Sequence, residues 1–282
     1  MKRILFIGGG KMMQAIACGL LARGVGATSL AAIEPDPVAA AALGQLKIET
    51  FSAGEDAAQR LNEFGTVVLA VKPQVVREAL GPFSGGLAGH LFISIAAGIR
   101  TADLRIWLGD DSDATQDAQI VRAMPNTPAL IQAGITGLYA DPRVSQASRD
   151  IAESLLAAVG KTTWFDEESM LDAVTAVSGS GPAYVFYFIE ALESAAIELG
   201  FPPEAARQFA LETFRGAAML AATSAEAPAT LRANVSSRKG TTEAAIAEFD
   251  RAELKSRFIA GVRAAQRRAE ELGDELSVEP KC

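Results

Sequence analysis

The sequence predicts an α/β fold, with a parallel sheet built from β-α-β units in its first half and helices almost alone in its second. Three observations predict it. Short apolar runs of strand length alternate with helical patterns as far as Trp164; a strand, a glycine-rich turn and a helix open the chain; and after Trp164 the apolar residues recur at helical spacing.

The strands are expected over residues 3–7, 29–33, 66–71, 91–95 and 119–124. Between the first two lies a helix that places Ile16 and Leu20 on one face and stops at Gly24. In the second half, Pro182 suits a first helical turn, Val185, Phe188, Ile189, Leu192 and Ala196 share a face, and Gly200 with Pro202 and Pro203 ends the segment. Further helices are expected over 203–222 and 253–272, the latter with a charged face and pairs such as Arg267 with Glu271. Long alanine-rich helices bury little alone and need each other or a second subunit, so a dimer through this half is expected. Phe186, Tyr187 and Phe188 cannot all face one core, and some of them should meet that subunit.

Composition removes several function classes. The chain has 282 residues, half of them apolar, with 26 basic and 34 acidic side chains and a net charge of −8. An acidic chain without a basic cluster has no footprint for phosphate backbones, which excludes nucleic-acid binding. With two cysteines, Cys18 and Cys282, and one histidine, His90, neither a disulfide framework nor a thiolate–imidazole metal centre is expected. Apolar runs such as 91–99 and 183–189 are far shorter than a membrane helix requires. Lys2, Arg3 and the stretch before Cys18 imitate a signal peptide, but three glycines and Lys11 interrupt it. A reducing cytoplasm is the expected compartment.

The opening passage, Arg3 to Met13, has the context of a dinucleotide fingerprint. Gly8 would permit the tight turn and Gly10 the approach of a pyrophosphate to the helix N-terminus, where free N–H groups and the dipole favour an anion. Met13 stands where a small residue normally lets helix and strand approach. Glu34, just past the second strand, is placed to accept hydrogen bonds from the adenosine ribose, and its charge would repel a 2′-phosphate. NADH is therefore expected to be preferred to NADPH, or at least tolerated, unless Glu34 is only a solvated loop residue.

Five further stretches carry a resemblance: Ala70-Val71-Lys72-Pro73-Gln74, Ser94-Ile95-Ala96-Ala97-Gly98, Arg122-Ala123-Met124-Pro125-Asn126-Thr127-Pro128, Ser178-Gly179-Ser180-Gly181-Pro182-Ala183-Tyr184 and Asn234-Val235-Ser236-Ser237-Arg238-Lys239-Gly240-Thr241-Thr242. Together and in this order, over nearly the whole chain, they resemble the pyrroline-5-carboxylate reductases. The resemblance implies a Rossmann domain over residues 1–163 and an all-helical substrate-binding and dimerisation domain over 164–282. It implies reduction of 1-pyrroline-5-carboxylate to L-proline by hydride from NADPH or NADH, with each site completed at a dimer interface.

By resemblance, Gly8, Gly10, Lys11, Met12, Met13, Ala70, Val71, Lys72, Pro73, Ile95, Ala96 and Ala97 line the cofactor, and Asn234 adjoins it. Asn126 and Thr127 would shape the nicotinamide pocket or merely form a turn. Ser237, Gly240, Thr241 and Thr242 would hold the substrate, with Val235 as apolar wall. The residues agree on their own account: small and hydroxyl side chains precede a helical pattern over 243–249, so backbone N–H groups converge where a carboxylate would dock. Thr242 would bond the ring nitrogen. A protonated cyclic imine is already electrophilic, so positioning it does most of the work and no strong general acid is needed.

The family carries Asn where this chain has Lys11, and Pro-Gly where it has Arg238-Lys239. Lys11 would pair with phosphate or point to solvent; Arg238 and Lys239 would strengthen anion binding or simply be solvated. The side chain of Lys72 has no assigned contact, His90 reads as a surface loop residue, and Glu226 as a helix-entry residue or a partner of the substrate amine. Two other readings compete. A β-hydroxyacid dehydrogenase needs a lysine in the helix after its Ser-Gly motif, and residues 178–200 contain none; a nucleotide-binding relative without catalysis would bind cofactor and turn nothing over.

Overall fold

The computed structural model describes residues 2–109 and 118–277. Eight strands form one sheet: β1 (Arg3–Ile7), β2 (Leu30–Ile33), β3 (Glu49–Phe51), β4 (Phe64–Leu69), β5 (Leu91–Ser94), β6 (Gln119–Met124), β7 (Gly134–Ala140) and β8 (Gly160–Phe165). The helices are α1 (Lys11–Ala22), α2 (Pro37–Gln45), α3 (Gly54–Ala58), α4 (Val76–Leu80), α5 (Thr101–Leu108), α6 (Gln146–Leu156), α7 (Met170–Val174), α8 (Gly181–Glu198), α9 (Pro203–Thr223), α10 (Pro228–Asn234), α11 (Thr241–Arg251) and α12 (Leu254–Leu276).

The strand order is β3-β2-β1-β4-β5-β6-β7-β8, and every pairing is parallel except β6 with β7. The order reverses direction at β1, between β2 and β4, which is where α/β sheets bind ligands. Alternation along β1 serves both faces. Ile4 and Phe6 join a core with Met13, Ile16 and Leu20 of α1, while Leu5 and Ile7 join one with Val76, Leu80 and Leu104.

Four of the five expected strands start and end where they were expected or within one residue of it; the third starts and stops two residues early. It covers Phe64–Leu69 rather than 66–71, because Ala70 still donates to the Ile7 carbonyl at 2.8 Å and the chain then turns away from the sheet. Three strands were not expected. β3 is three residues long at an edge, β7 carries two glycines, and β8 is an edge strand with Lys161 and Thr163 exposed, so none offers a long apolar run.

The chain divides into two compact units: residues up to Ser180 together with those from Ala265 onward, and Gly181–Ala264. The division therefore does not fall at the expected 163/164, which β8 runs straight through while paired to β7. In the second unit α8 packs Tyr184 and Phe188 on Phe258, with ring centroids 5.8 and 5.7 Å apart. Only Ala206 and Ala210 are buried there. Phe186 and Tyr187 are 64% and 70% exposed, far more than a finished apolar core leaves. In α12 Glu271 pairs with Arg268 at 3.0 Å, not with Arg267, and Arg268 also takes Glu275 at 2.7 Å. Among the described residues no helix is long and apolar enough to cross a membrane, and no group of histidine, cysteine and carboxylate side chains could hold a metal. Cys18 is a free, exposed thiol, whereas Cys282 lies outside the described residues.

Candidate active site

The glycine turn after β1 is shaped by close approach. Gly8 sits at φ +101°, and a Cβ on it would fall 2.8 Å from both the Ala70 carbonyl oxygen and Val71 Cγ1. Its N–H donates to the Ile33 carbonyl at 3.0 Å, so β1, β2 and the end of β4 meet at this residue. Gly10 is different: a Cβ there would meet nothing within 4 Å, and the residue caps α1 without a side-chain bond. Gln14 is the first helix residue to bond back, to Gly10 at 3.0 Å. That leaves the N–H groups of Lys11, Met12 and Met13 directed out of the helix end beside open space, a cradle suited to a pyrophosphate.

A cleft of about 590 Å³ opens here, and Gly8, Gly10, Glu34, Ala70, Val71 and Lys72 line it together. Ile33, Val75 and Pro82 give it apolar wall. The residues present fit a dinucleotide: free N–H groups for the phosphates, apolar surface for a base and a carboxylate at the ribose position. Glu34 is not simply solvated. Its Oε2 accepts the Gly9 N–H and its Oε1 the Asp36 N–H, both at 2.9 Å, so it also holds the turn. Sequence reasoning missed Ser52, Glu55 and Glu78, which line the same cleft. They reach it through β3 and the short helices α3 and α4, which left no readable pattern. With Glu34 they set three carboxylates against one ammonium, Lys72, and no arginine lines the cleft among the described residues.

The other cofactor positions are placed differently. Met13 is fully buried in the core between α1 and the sheet, so only its backbone faces the helix end. Met12 packs against the same core and Lys11 is exposed. Pro73 begins the single turn Pro73–Val75 and does not itself line the cleft, although Val75 does. Ile95, Ala96 and Ala97 follow β5, one strand further along; the Ile95 N–H bonds the Leu69 carbonyl at 3.0 Å. Asn126 is buried and its Oδ1 accepts the Ile135 N–H at 3.0 Å, as a turn-forming residue would. His90 precedes β5 in a loop, with Nδ1 3.1 Å from the Ala88 carbonyl oxygen.

In the second unit Val235, Ser237, Gly240, Thr241 and Thr242 gather at the start of α11. Gly240 caps that helix with no side-chain bond, and its own N–H closes a turn on the Ser237 carbonyl at 2.9 Å. Ala244 is the first to bond back, to Gly240 at 3.2 Å, so the N–H groups of Thr241 and Thr242 are available to an anion. Lys239 holds φ +59° in the turn, the left-handed region where the resembled family has glycine. Arg238 and Lys239 are both exposed. Asn234 ends α10 and donates Nδ2 to Glu226 at 3.1 Å, which makes Glu226 a structural partner at the helix entry.

Comparison with known proteins covers both units. A family model for pyrroline-5-carboxylate reductase dimerisation matches residues 168–272, and one for NADP oxidoreductase, coenzyme F420-dependent, matches 3–98. The pyrroline-5-carboxylate reductase of Pseudomonas aeruginosa is 41% identical over 276 residues, 97% of this chain and 98% of the relative. The chain belongs to the pyrroline-5-carboxylate reductase family.

Solved reductases of the family share the architecture. That of Coxiella burnetii superposes with a TM-score of 0.87 at 35% identity, over 96% of this chain and 98% of its own. That of Plasmodium falciparum, with NADP bound, has a TM-score of 0.83 at 25% identity and the same coverage. These relatives support the reductase reading over the β-hydroxyacid dehydrogenase alternative.

Proposed function

We propose that this chain reduces 1-pyrroline-5-carboxylate to L-proline with a nicotinamide nucleotide. The observation that carries the reading is kinship with reductases of this family over nearly the full length, through both the glycine turn and the α11 loop. A nucleotide held at the glycine turn and the start of α1 would supply the hydride that reduces the protonated imine to the secondary amine of proline. The chain's own work is positioning. The N–H groups at the start of α11, of Thr241 and Thr242, take the substrate carboxylate, the Thr242 hydroxyl takes the ring nitrogen, and Val235 supplies apolar wall. Ser237 and Gly240 set the turn from which these groups project, and Asn234 adjoins the cofactor.

The excess of carboxylates in the cofactor cleft supports NADH as the preferred reductant. A 2′-phosphate would bring about two further negative charges beside Glu34. Homodimerisation is supported by the exposed aromatic residues of α8, which a second copy would cover. A free Cys18 suits a reducing cytoplasm.

The test is the loss of nicotinamide absorbance when the purified protein meets 1-pyrroline-5-carboxylate, run with NADH and NADPH in parallel. Turnover with the higher kcat/KM for NADH is expected. Cofactor binding without turnover would overturn the reaction, and a higher kcat/KM for NADPH would overturn the preference.

A further inference from the structure

The segment after β5 is held from two sides. On one side Glu168 Oε1 accepts both the N–H and the hydroxyl of Thr101, at 2.7 and 2.8 Å, and the buried Arg122 of β6 at 2.8 Å. Next to it the buried Asp172 of α7 pairs with Arg100 at 3.1 Å. Charge is dense enough here that burial, with Glu168 and Asp141 nearby, pushes the Tyr139 phenol up.

The second side is the end of α12. Gly273 is buried, and a Cβ on it would lie 3.0 Å from Arg100 Nη2 and 3.2 Å from the Gly98 carbonyl oxygen. Gly98 itself sits at φ +79°, and a Cβ there would lie 3.6 Å from the Gly273 Cα. The two backbones therefore cross with no side chain between them. One turn further on, Leu276 packs into the core of that face, and Ser277 Oγ donates to Asp103 Oδ1 at 2.8 Å, on a carboxylate that is itself buried. These residues lie just past the stretch matched by the dimerisation family, which ends at 272.

We propose that the end of α12 is a latch on the loop 95–100, with Gly273 and Ser277 as positioning residues that set where Ile95, Ala96 and Ala97 stand. The latch rests on the reading that these three residues flank the nicotinamide. Their place supports it: the loop is bonded to Leu69, immediately before the cleft residues Ala70, Val71 and Lys72. Gly273 and Ser277 need not touch the cofactor. They act through Gly98, Arg100 and Asp103, whose displacement moves the loop.

Gly273→Ala tests this in the full-length enzyme, since the added methyl must displace Arg100 or the Gly98 carbonyl. The KM for NADH should rise about three- to tenfold with the KM for the imine unchanged and the thermal midpoint close to the parent's. Arg100→Lys in the same chain, which removes the crowding Nη2 and keeps the charge for Asp172, should restore most of the loss. Ser277→Ala, which adds no atom, should give a smaller rise in the same KM, and it decides the matter if Gly273→Ala does not fold. Ala97→Leu serves as the control on the cofactor reading. If Ala97→Leu raises the NADH KM while Gly273→Ala and Ser277→Ala leave it alone, the latch is overturned. If Ala97→Leu also leaves it alone, the loop does not flank the cofactor, and both ideas fall.

Discussion

Glu34 Oε2 accepts the Gly9 N–H at 2.9 Å, so the residue proposed to meet the ribose also clamps the glycine turn. The two roles can be separated. Glu34→Gln keeps an acceptor for Gly9 but removes the charge, and should move the kcat/KM ratio toward NADPH by about tenfold, or ~1.4 kcal/mol. Glu34→Ala loses the clamp as well and should raise the KM for both nucleotides. Steady-state kinetics with each cofactor checks both.

Thr242→Ala should lower imine turnover by ~1–2 kcal/mol, the worth of one lost hydrogen bond, while the dissociation constant for NADH stays where it was. An unchanged kcat/KM for the imine would remove the hydroxyl from the mechanism.

Lys239→Gly should stabilise the α11 loop. A side chain at φ +59° costs about 1–2 kcal/mol, and the extra freedom of glycine in the unfolded chain returns about 0.5–1 kcal/mol of that. A net gain of a few tenths to about 1 kcal/mol in a urea melt is expected. Lys239→Pro should be destabilising, because the Lys239 N–H donates to Glu243.

The near absence of buried residues between Gly181 and Ala264 predicts a midpoint of unfolding that depends on dilution. Melts over a hundredfold range of protein concentration should move to higher temperature as concentration rises. A midpoint independent of concentration would mean that these helices are stable without a partner copy.

At the far end of the sheet Arg3 and Arg60 bracket Glu49 and Glu63, with Arg3–Glu63 at 2.7 Å and Arg60–Glu49 at 2.6 Å. The Arg60 guanidinium holds the Glu63 carboxyl down to about 2, with Arg3 adding to the effect, and Arg3 does the same to Glu49 in direction. A carboxylate held low in the folded state stabilises above its ordinary value near 4.5, and the contribution fades as pH falls toward 2. Glu63→Gln should therefore flatten stability against pH across that interval and leave the slope above pH 5 alone. Because these groups are partly solvated, the difference should be small and should shrink in salt.

The sheet was legible where strands are apolar on both faces and followed by helices, as in β1 and β5. It was not legible at β3, β7 and β8, whose pairing depends on neighbours rather than on their own periodicity. The same divide runs through the site. Gly8 could be read because its positive φ and the close approach of Ala70 belong to glycine, whereas Gly10, extended and beside open space, was legible only from its place between strand and helix. Glu55 and Glu78 could not, since only the packing of α3 and α4 beside β1 turns two ordinary exposed glutamates into cleft residues. Met13 at the small position of the fingerprint proved to be a core side chain that α1 accommodates against Ile4 and Phe6.

Asp103 and Ser277 are 174 residues apart in the chain. On a ribosome all eight strands emerge well before Ser277 does, so the sheet can assemble while the loop after β5 still lacks its last partner. Closing a loop of that length comes late because its entropy must be met before the contact rewards it. The hydrogen bond can therefore form only once residue 277 has been made: a chain cut before it builds its sheet yet carries a loose segment and a frayed helix, the kind of opening that cellular proteases find first.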